Sequence, residues 1–289
     1  MTVQDFWAIS PEISMALLAL VVVTVDLVTR SMAKVSAVAL IGLIAPFVLT
    51  LNLWFGWFGD PAAGPALFGT IEADRFSLFF NFLLITVTAG TVLASSRYIS
   101  SDRMKDYGGE FVALVLFSVT GMMLLVSATE LITIYVALEL TALPVVALAA
   151  IHRTRHAVES GTKFFVLSAI SSAILLYGFV YIYGFTGSTN LEVILERLLV
   201  LPTQAGVPFG SYAVLLAVIM IVAGFGFKMA VVPFQMWVPD VYQGAPTPVA
   251  AFLSVASKSA AFAVIMRIMY TAFGEPGLMQ DWSGLFAVL

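Results

Sequence analysis

Three ionisable side chains lie inside long apolar stretches of this 289-residue chain. Lys228 and Lys258 fall in the segment between Phe225 and Phe262, and Glu139 lies at the centre of TELITIYVALELTALPVVALAA. A charged group at the centre of a membrane helix costs roughly 2.5–3.5 kcal/mol on insertion scales, so its presence calls for a reason. One carboxylate and two amines at such depth suggest a route for protons or cations.

Lys228 stands in an apolar stretch that contains helix-breaking residues on both sides. Gly224 and Gly226 precede it, and Pro233 and Pro239 follow it. Discontinuous helices in transporters place backbone polar groups around an ion site at the middle of the membrane. In the alternative interpretation, Lys228 extends to a membrane interface, but the apolar residues on either side make that reach difficult.

Glu139 is followed five residues later by Pro144. The proline removes a backbone hydrogen bond and crowds the carbonyl of Leu140, which predicts a kink beside the carboxylate. A carboxylate close to Lys228 favours the charged lysine, and its withdrawal favours release of the proton. The alternative is a structural ion pair that only holds helices together.

The other charged groups in apolar stretches are harder to interpret. Lys258 follows the turn-forming GAPTP segment, with Ser254 one turn earlier on the same helical face. Hydroxyl groups there either solvate the ammonium or serve as ordinary contacts between membrane helices. Lys163 opens a span next to a basic loop, so a role inside the membrane and extension to the interface stay equal alternatives. Arg267 is expected to extend to the interface.

The elements that must position these groups are membrane spans. The chain has 61% hydrophobic and 10% charged residues and a mean hydropathy of +1.03, whereas soluble domains carry about 25% charged residues. A span needs about 20 apolar residues. Such stretches cover residues 10–29, 33–55, 75–96, 110–128, 130–151, 162–184, 211–232 and 246–272, and a ninth begins at Trp282. The sequence therefore predicts an all-α, polytopic membrane protein, with LEVILERLLV as a short interfacial helix.

Basic residues concentrate in alternate loops, which predicts the orientation of the chain. One side holds seven of them: Arg30, Lys34, Arg97, Arg103, Lys105, Arg153 and Arg155. The opposite side holds only Arg75 and Arg197. The positive-inside rule then places the N-terminus outside and the HRTRH loop in the cytoplasm. The five tryptophans all fall near predicted span ends, as in an aromatic belt.

Several kinds of site are excluded or disfavoured. Without cysteine, the chain has no disulfide framework, thiolate metal site, cysteine nucleophile or cysteine-ligated iron–sulfur cluster. The two histidines, His152 and His156, stand together in one predicted loop, which argues against a bis-histidine haem or a buried zinc centre. We therefore expect no metal and no cofactor in this chain.

Three segments resemble a known family: ALELTALP, ESGTKFFVLSAISSAILLYG and GFGFKMAVVPFQMWVPDVYQGAPTPVAAFLSVASKSAAF. They are similar to the antiporter-like subunit N of respiratory complex I, the proton-pumping NADH:quinone oxidoreductase, over about residues 110 to 272. The resemblance implies an antiporter-like bundle of about fourteen helices with two inverted five-helix repeats, each containing a broken helix. Residues 1–105 would hold the first three spans, 106–272 the first repeat (spans 4–8), and 273–289 the start of a ninth helix. The second repeat is expected to be missing or truncated.

The resemblance also implies roles for individual residues. Glu139 matches a glutamate that pairs with the lysine matching Lys228, and Lys163 and Lys258 match further lysines of the proton path. The family often has histidine where this chain has Gln235, and glutamine cannot titrate. No relay role is therefore carried over to that position.

The implied function is that of a proton-translocating, non-redox subunit of NADH:quinone oxidoreductase, coupled to quinone reduction elsewhere in the complex. NADH, flavin, iron–sulfur clusters and quinone are expected in other subunits. The expected partners are other membrane subunits, lipids and protons, without nucleic acid, in a bacterial plasma membrane.

Two alternatives remain. One is a subunit of a multi-subunit Na⁺/H⁺ antiporter or a membrane-bound hydrogenase. Such antiporter relatives typically have histidine where Ser254 stands and no lysine at position 258, which favours subunit N. The other alternative is a structural membrane scaffold.

Overall fold

The computed structural model describes residues 3–29, 31–57, 64–99, 107–202, 204 and 206–288. These ranges contain no strand and are built from helices. The helices are α1 (Val3–Ala8), α2 (Ser10–Thr29), α3 (Met32–Gly42), α4 (Ile44–Phe55), α5 (Arg75–Ile99), α6 (Gly108–Ser127), α7 (Leu131–Ala149), α8 (Arg155–Thr186), α9 (Leu191–Val200), α10 (Tyr212–Met229), α11 (Trp237–Gly244), α12 (Thr247–Phe252), α13 (Lys258–Ala272) and α14 (Pro276–Val288). The all-α prediction is confirmed.

Eight helical stretches within the described ranges are long and apolar enough to cross a membrane. They are Ser10–Thr29, Met32–Phe55, Arg75–Ser96, Gly108–Ser127, Leu131–Ala149, Arg155–Thr186, Tyr212–Gly244 and Thr247–Ala272. Each overlaps one of the predicted spans, so the multi-pass architecture is confirmed. The predicted interfacial helix is α9, which Asn190 caps by accepting from the backbone N–H groups of Glu192 and Val193.

Helix α8 begins at Arg155, seven residues before the predicted residue 162. Thr154 caps this end by accepting a hydrogen bond from the backbone N–H of Ala157 at 3.3 Å. His156 therefore lies in the first turn of a helix, and the prediction that it belongs to a loop is wrong. Arg30, Arg103 and Lys105, which entered the orientation argument, lie outside the described residues.

Helix α6 is the most buried span and packs against α2, α5, α7 and α13. It meets α7 at Gly121, where an added Cβ would lie 2.6 Å from the backbone nitrogen of Thr141 and 2.8 Å from the carbonyl carbon of Leu140. Ser118 also donates to the carbonyl oxygen of Thr141 at 2.9 Å. Helix α7 continues through Pro144. Its contacts with α6 hold the part of α7 that carries Glu139 against the centre of the bundle.

The predicted interruption after Lys228 is confirmed. Helix α10 ends at Met229, Ala230 adopts the left-handed conformation, and a 3₁₀ turn at Phe234–Met236 leads into α11. Trp237 donates its indole N–H to the carbonyl oxygen of Phe227 at 2.9 Å, which satisfies one acceptor freed by the break. Trp237 is buried among protein side chains, so its assignment to an aromatic belt is wrong.

The last long span contains an irregularity that the sequence did not predict. Between α12 and α13, residues Leu253–Ser257 form a π-helical turn directly before Lys258. Such turns insert an extra residue into a helix and are frequent at functional sites. The helix at the end of the described chain, α14, begins at Pro276, six residues before the predicted start at Trp282.

Candidate functional site

Lys228 is buried in the last turn of α10, with 9% of its surface exposed. Its ammonium donates to the hydroxyl oxygen of Ser168 on α8 at 2.7 Å. Helices α8 and α10 pack closely. The hydroxyl group of Ser171 donates to the carbonyl oxygen of Gly224 at 2.9 Å. Gly224 lacks a Cβ, and a Cβ there would lie only 2.6 Å from the Cβ of Leu175. This packing holds Lys228 in the interior, so extension to an interface is excluded.

A cavity of ≈ 20 Å³ borders Lys228. Thr141 of α7, Phe164 of α8 and Ser257 of the π turn contribute to its wall, together with apolar side chains of α6 and α13. About 10–15 Å³ is enough to hold one water molecule when polar groups line the space. The lysine therefore lies beside a chamber for one water molecule, with hydroxyl groups from two other elements.

Glu139 interacts electrostatically with Lys228, but the described residues show no ion pair within 4.0 Å between them. The ammonium is directed at Ser168 instead. One carboxylate oxygen of Glu139 is buried and has no hydrogen-bond partner among the described residues. No direct ion pair therefore joins Glu139 and Lys228 in this conformation.

Lys258 opens α13 and is partly buried, with its ammonium 5.9 Å from the centre of the Tyr242 ring. It lines a second cavity of ≈ 450 Å³ together with Met229, Phe262 and other largely apolar side chains. Consecutive residues thus face different cavities, since Ser257 lines the chamber of Lys228 and Lys258 lines the larger one. The π turn therefore connects the surroundings of the two lysines.

Among the described residues, no hydrogen bond joins Lys258 to Ser254 or Ser259. Ser254 donates to the carbonyl oxygen of Ala251 at 2.8 Å, and Ser259 donates to that of Val255 at 2.7 Å. Their protons are therefore engaged with the backbone of their own helix. The structure favours the alternative in which these two hydroxyls are ordinary helix contacts.

Lys163 lies in a different setting from the other two lysines. Its side chain is 44% exposed and forms ion pairs with Glu159 at 3.0 Å and Asp240 at 3.2 Å. A cleft of ≈ 280 Å³, lined also by His156 and Gln243, surrounds them. Asp240 reaches this position because α11 packs against the start of α8. The structure thus does not join Lys163 to the buried lysines directly.

An aromatic wall lies on the inner side of that cleft. Phe164, the residue after Lys163, packs against Trp237 and Phe227 with ring centres 4.9 Å and 6.4 Å away. Phe227 and Trp237 are 5.4 Å apart. Because Phe164 also lines the chamber of Lys228, the wall separates that chamber from the charged cleft.

Sequence reasoning did not identify several polar groups with buried atoms. Three of them have an atom without a hydrogen-bond partner among the described residues: Ser172, Gln235 and Tyr242. Buried polar atoms in proteins are normally satisfied by protein or by water. Gln235 cannot titrate, but its side-chain oxygen can accept a hydrogen bond from water.

Arg267 is buried, with 7% exposed, and the prediction that it extends to the interface is wrong. Its guanidinium donates to the carbonyl oxygen of Val126 at 3.0 Å and to Asp74 at 2.7 Å, and lies 3.6 Å from Glu72. Burial and the nearby Asp74 raise the pKa of Glu72, although Arg267 opposes that shift. This cluster ties α13, which carries Lys258, to α6 and to the segment before α5.

A larger groove of ≈ 590 Å³ lies between α7 and α8 and is lined mainly by apolar and aromatic side chains. Tyr135, one turn from Glu139, belongs to it. None of the four predicted site residues lines this groove. We therefore place the candidate site at the smaller chambers around Lys228 and Lys258.

Residues 128–289 match the family described as NADH:quinone oxidoreductase/Mrp antiporter, transmembrane region. The chain belongs to this family. A curated relative, NADH-quinone oxidoreductase subunit N of Dehalococcoides mccartyi, is 39% identical over 281 residues, covering 96% of this chain and 56% of the relative. The subunit N of Parvibaculum lavamentivorans is 36% identical over 295 residues, covering 100% of this chain and 57% of the relative. The resemblance to subunit N is confirmed.

The chain spans a little over half the length of these curated relatives. Among solved structures, a chain of respiratory complex I from Thermus thermophilus with bound aureothin has a TM-score of 0.70 and 33% identity, covering 89% of this chain and 52% of that one. A chain of the Mrp complex from Dietzia sp. DQ12-45-1b has a TM-score of 0.71 at 23% identity, covering 95% and 50%, and shows the fold alone. Both are parts of multi-subunit membrane complexes, and the antiporter-like fold is confirmed.

Proposed function

We propose that this chain is a proton-translocating, non-redox membrane subunit of a NADH:quinone oxidoreductase. The observation that carries the proposal is Lys228, which is buried against a neutral hydroxyl group while Glu139 stays beyond ion-pair distance. Burying a charge is costly unless a counter-charge or several hydrogen bonds compensate for it. Approach or withdrawal of Glu139 therefore changes whether Lys228 holds its proton.

The proton path in this chain would run from Glu139 and Lys228 to Lys258. Water in the chamber beside Lys228 would connect its amine to Ser257, and the π turn leads on to Lys258 and its larger cavity. Proton transfer requires donor and acceptor to lie within hydrogen-bond reach, directly or through a water molecule. The cleft around Lys163 and Asp240 would exchange protons with the aqueous side when the aromatic wall opens.

The remaining assignments follow from the family. Residues 106–272 would form the first five-helix repeat, preceded by three spans in 1–105 and followed by the start of a ninth helix in 273–289. The partners would be other membrane subunits and lipids, with NADH, flavin, iron–sulfur clusters and quinone held elsewhere. We place the protein in a bacterial plasma membrane with its N-terminus outside, in agreement with the distribution of basic residues.

The test uses the full-length protein in its assembled complex. Lys228→Ala and Glu139→Gln should each abolish most NADH-driven proton pumping and impair the coupled quinone reductase activity, while assembly persists. Thr86→Ala is the matched control, since its exposed hydroxyl group donates only to the carbonyl oxygen of Phe82 in its own helix, and it should pump normally. Normal pumping by correctly assembled Lys228→Ala would refute the proposal.

A second candidate is a subunit of a multi-subunit Na⁺/H⁺ antiporter. The structural likeness to a chain of the Mrp complex favours it at the level of the fold. Sodium-dependent proton exchange in vesicles that does not require NADH would support this candidate. Transport that requires NADH and is unaffected by sodium would support the first one.

A further inference from the structure

The first long span carries a buried carboxylate that the proposed proton path does not use. Glu12 lies in the first turn of α2 with only 3% of its surface exposed. An acidic residue in the first turn of a helix is common because the helix dipole favours it there. Its burial is unusual, because an ionised carboxylate away from water needs a counter-charge or hydrogen bonds to offset the cost of desolvation.

Among the described residues, only neutral groups contact the carboxyl group of Glu12. The amide nitrogen of Asn81 on α5 donates to one carboxylate oxygen at 3.2 Å. In the part of the chain that the structure describes, the other oxygen is buried without a hydrogen-bond partner. The backbone N–H of Glu12 and the hydroxyl group of Ser127 also lie against the carboxyl group, and that hydroxyl donates to the carbonyl oxygen of Met123 at 3.0 Å. No ion pair within 4.0 Å involves Glu12 among the described residues.

Asn81 also has a buried polar atom without a hydrogen-bond partner among the described residues. It is 1% exposed, and its side-chain oxygen is also buried without a partner. The two side chains thus share one hydrogen bond and each retains one unsatisfied oxygen. Both of those oxygens are acceptors when Glu12 is ionised, so they cannot satisfy each other.

One proton on the carboxyl group of Glu12 would give both unsatisfied oxygens a hydrogen bond. A protonated carboxyl group has one O–H donor, and a carboxylic acid beside a primary amide can form two hydrogen bonds in a ring. In that ring Asn81 donates to Oε1 of Glu12, as it does at 3.2 Å, and the new O–H of Oε2 donates to Oδ1 of Asn81. We propose that Glu12 binds an exchangeable proton in such an acid–amide pair with Asn81.

The location gives this site a connection to the face of the bundle at which α2 begins. The carbonyl oxygen of Ser127 accepts from the backbone N–H of Glu72 at 2.8 Å, and the neighbouring carbonyl of Val126 accepts from Arg267. Glu72 is partly exposed. The proton would come from water on that face, through the polar groups around Glu72, and would return there. This inference does not depend on the proposed role of Lys228.

The test is infrared spectroscopy of the full-length protein in its assembled complex. We expect a carbonyl stretching band of a protonated carboxyl group in the wild type, shifted after exchange into D₂O and lost in Glu12→Gln. The band should persist in Lys228→Ala, which separates this site from the proposed proton path. An unchanged band in Glu12→Gln, or a band that ignores D₂O, would overturn the inference. A band seen only after sodium is withdrawn would assign the site to a cation instead.

Thermal unfolding provides an independent measurement. In Glu12→Gln, two amide groups can form the same two hydrogen bonds without a proton, so the melting temperature should stay close to that of the wild type. Glu12→Ala leaves Asn81 buried and unpaired, so its melting temperature should fall. If Glu12→Gln loses as much stability as Glu12→Ala, the acid–amide pair is the wrong geometry.

Discussion

Lys228 and Arg267 are two cations buried to nearly the same degree, with 9% and 7% of their surfaces exposed. Arg267 is surrounded by two carboxylates and a backbone carbonyl. Lys228 has one hydroxyl group within hydrogen-bond distance and a carboxylate beyond ion-pair distance. The two cations are thus buried to a similar degree, but carboxylates contact Arg267 and only a neutral hydroxyl group contacts Lys228.

This difference distinguishes a cation that stays charged and stabilises the fold from a cation that can lose and regain its proton. A guanidinium stays protonated at all physiological pH values and binds carboxylates with a fixed, planar fork of donors. An ammonium on a flexible stem gives up its proton more readily when it is desolvated. Arg267 therefore fixes α13 in place, while Lys228 is suited to binding and releasing a proton.

Replacing Arg267 should have the largest effect on stability. Arg267→Met leaves Glu72 and Asp74 without their cation and the carbonyl of Val126 without its donor. Removing one partner of a fully buried ion pair costs roughly 3–5 kcal/mol; the cost here should be lower, because Glu72 and Asp74 are 32% and 33% exposed. We expect poor assembly, measured as the amount of complex in membranes and its melting temperature. Full stability of this variant would mean that the two cations do not differ as described.

Replacing Lys228 should preserve stability and impair proton pumping. Lys228→Met removes a buried charge that has no direct counter-ion and fills a similar volume, so the melting temperature should be retained or raised. Proton pumping should fall at least tenfold. Lys228→Arg serves as the control for charge, because it keeps a cation that cannot release its proton, and it should also fail to pump.

A double-mutant cycle sharpens the comparison by testing the scaffold alternative. With no direct contact between them, Glu139→Gln and Lys228→Met should show an interaction energy in stability below about 1 kcal/mol. In pumping, by contrast, the double variant should be no worse than either single one. A large interaction energy in stability would favour a structural ion pair over proton transfer.

Changing the backbone contact beside Glu139 should have a moderate effect. In Gly121→Ala the new Cβ would lie 2.6 Å from the backbone of Thr141, so α6 and α7 must separate. Overpacking of this kind costs typically about 1–3 kcal/mol, and the shift of α7 should lower pumping. Gly90→Ala is the control, since nothing lies within 4 Å of its Cβ, and it should be neutral or stabilising. Similar behaviour of the two variants would contradict the described packing.

The smallest effect is expected at the exposed cleft. Lys163→Gln removes two ion pairs that solvent and salt already weaken. The melting temperature should hardly change, and any change should disappear at high salt. A strong loss of stability would show that Lys163 resembles Arg267 more than its exposure indicates. Pumping measured in the same variant tests its proposed role in proton exchange.

Some parts of the site were predictable because their signals are local. The depth of Lys228 follows from the apolar residues around it, and the break after it follows from nearby glycines and prolines. Other parts were not. Lys163 has an acidic partner, Asp240, that lies far along the chain, and Arg267 binds Glu72 and Asp74 across still longer separations.

Glu12 illustrates the limit most clearly. In the sequence it stands before an apolar run and looks like a polar residue at a span end. In the fold, α5 and α6 cover it, and its hydrogen-bond partner is 69 residues away. The π turn before Lys258 is similar, since its sequence, LSVAS, gives no sign of the change in helical register.

The sequence by itself determined the membrane spans, the interrupted helix and the presence of ionisable groups at depth, because hydrophobic length and backbone preferences act over a few residues. The family also followed from the residues between Lys228 and Lys258. Only the tertiary structure decided which buried charges are compensated. Compensation depends on groups brought together from distant helices, and those distances are set by how the helices pack. That is why Arg267 is an anchor and Lys228 is a candidate proton carrier.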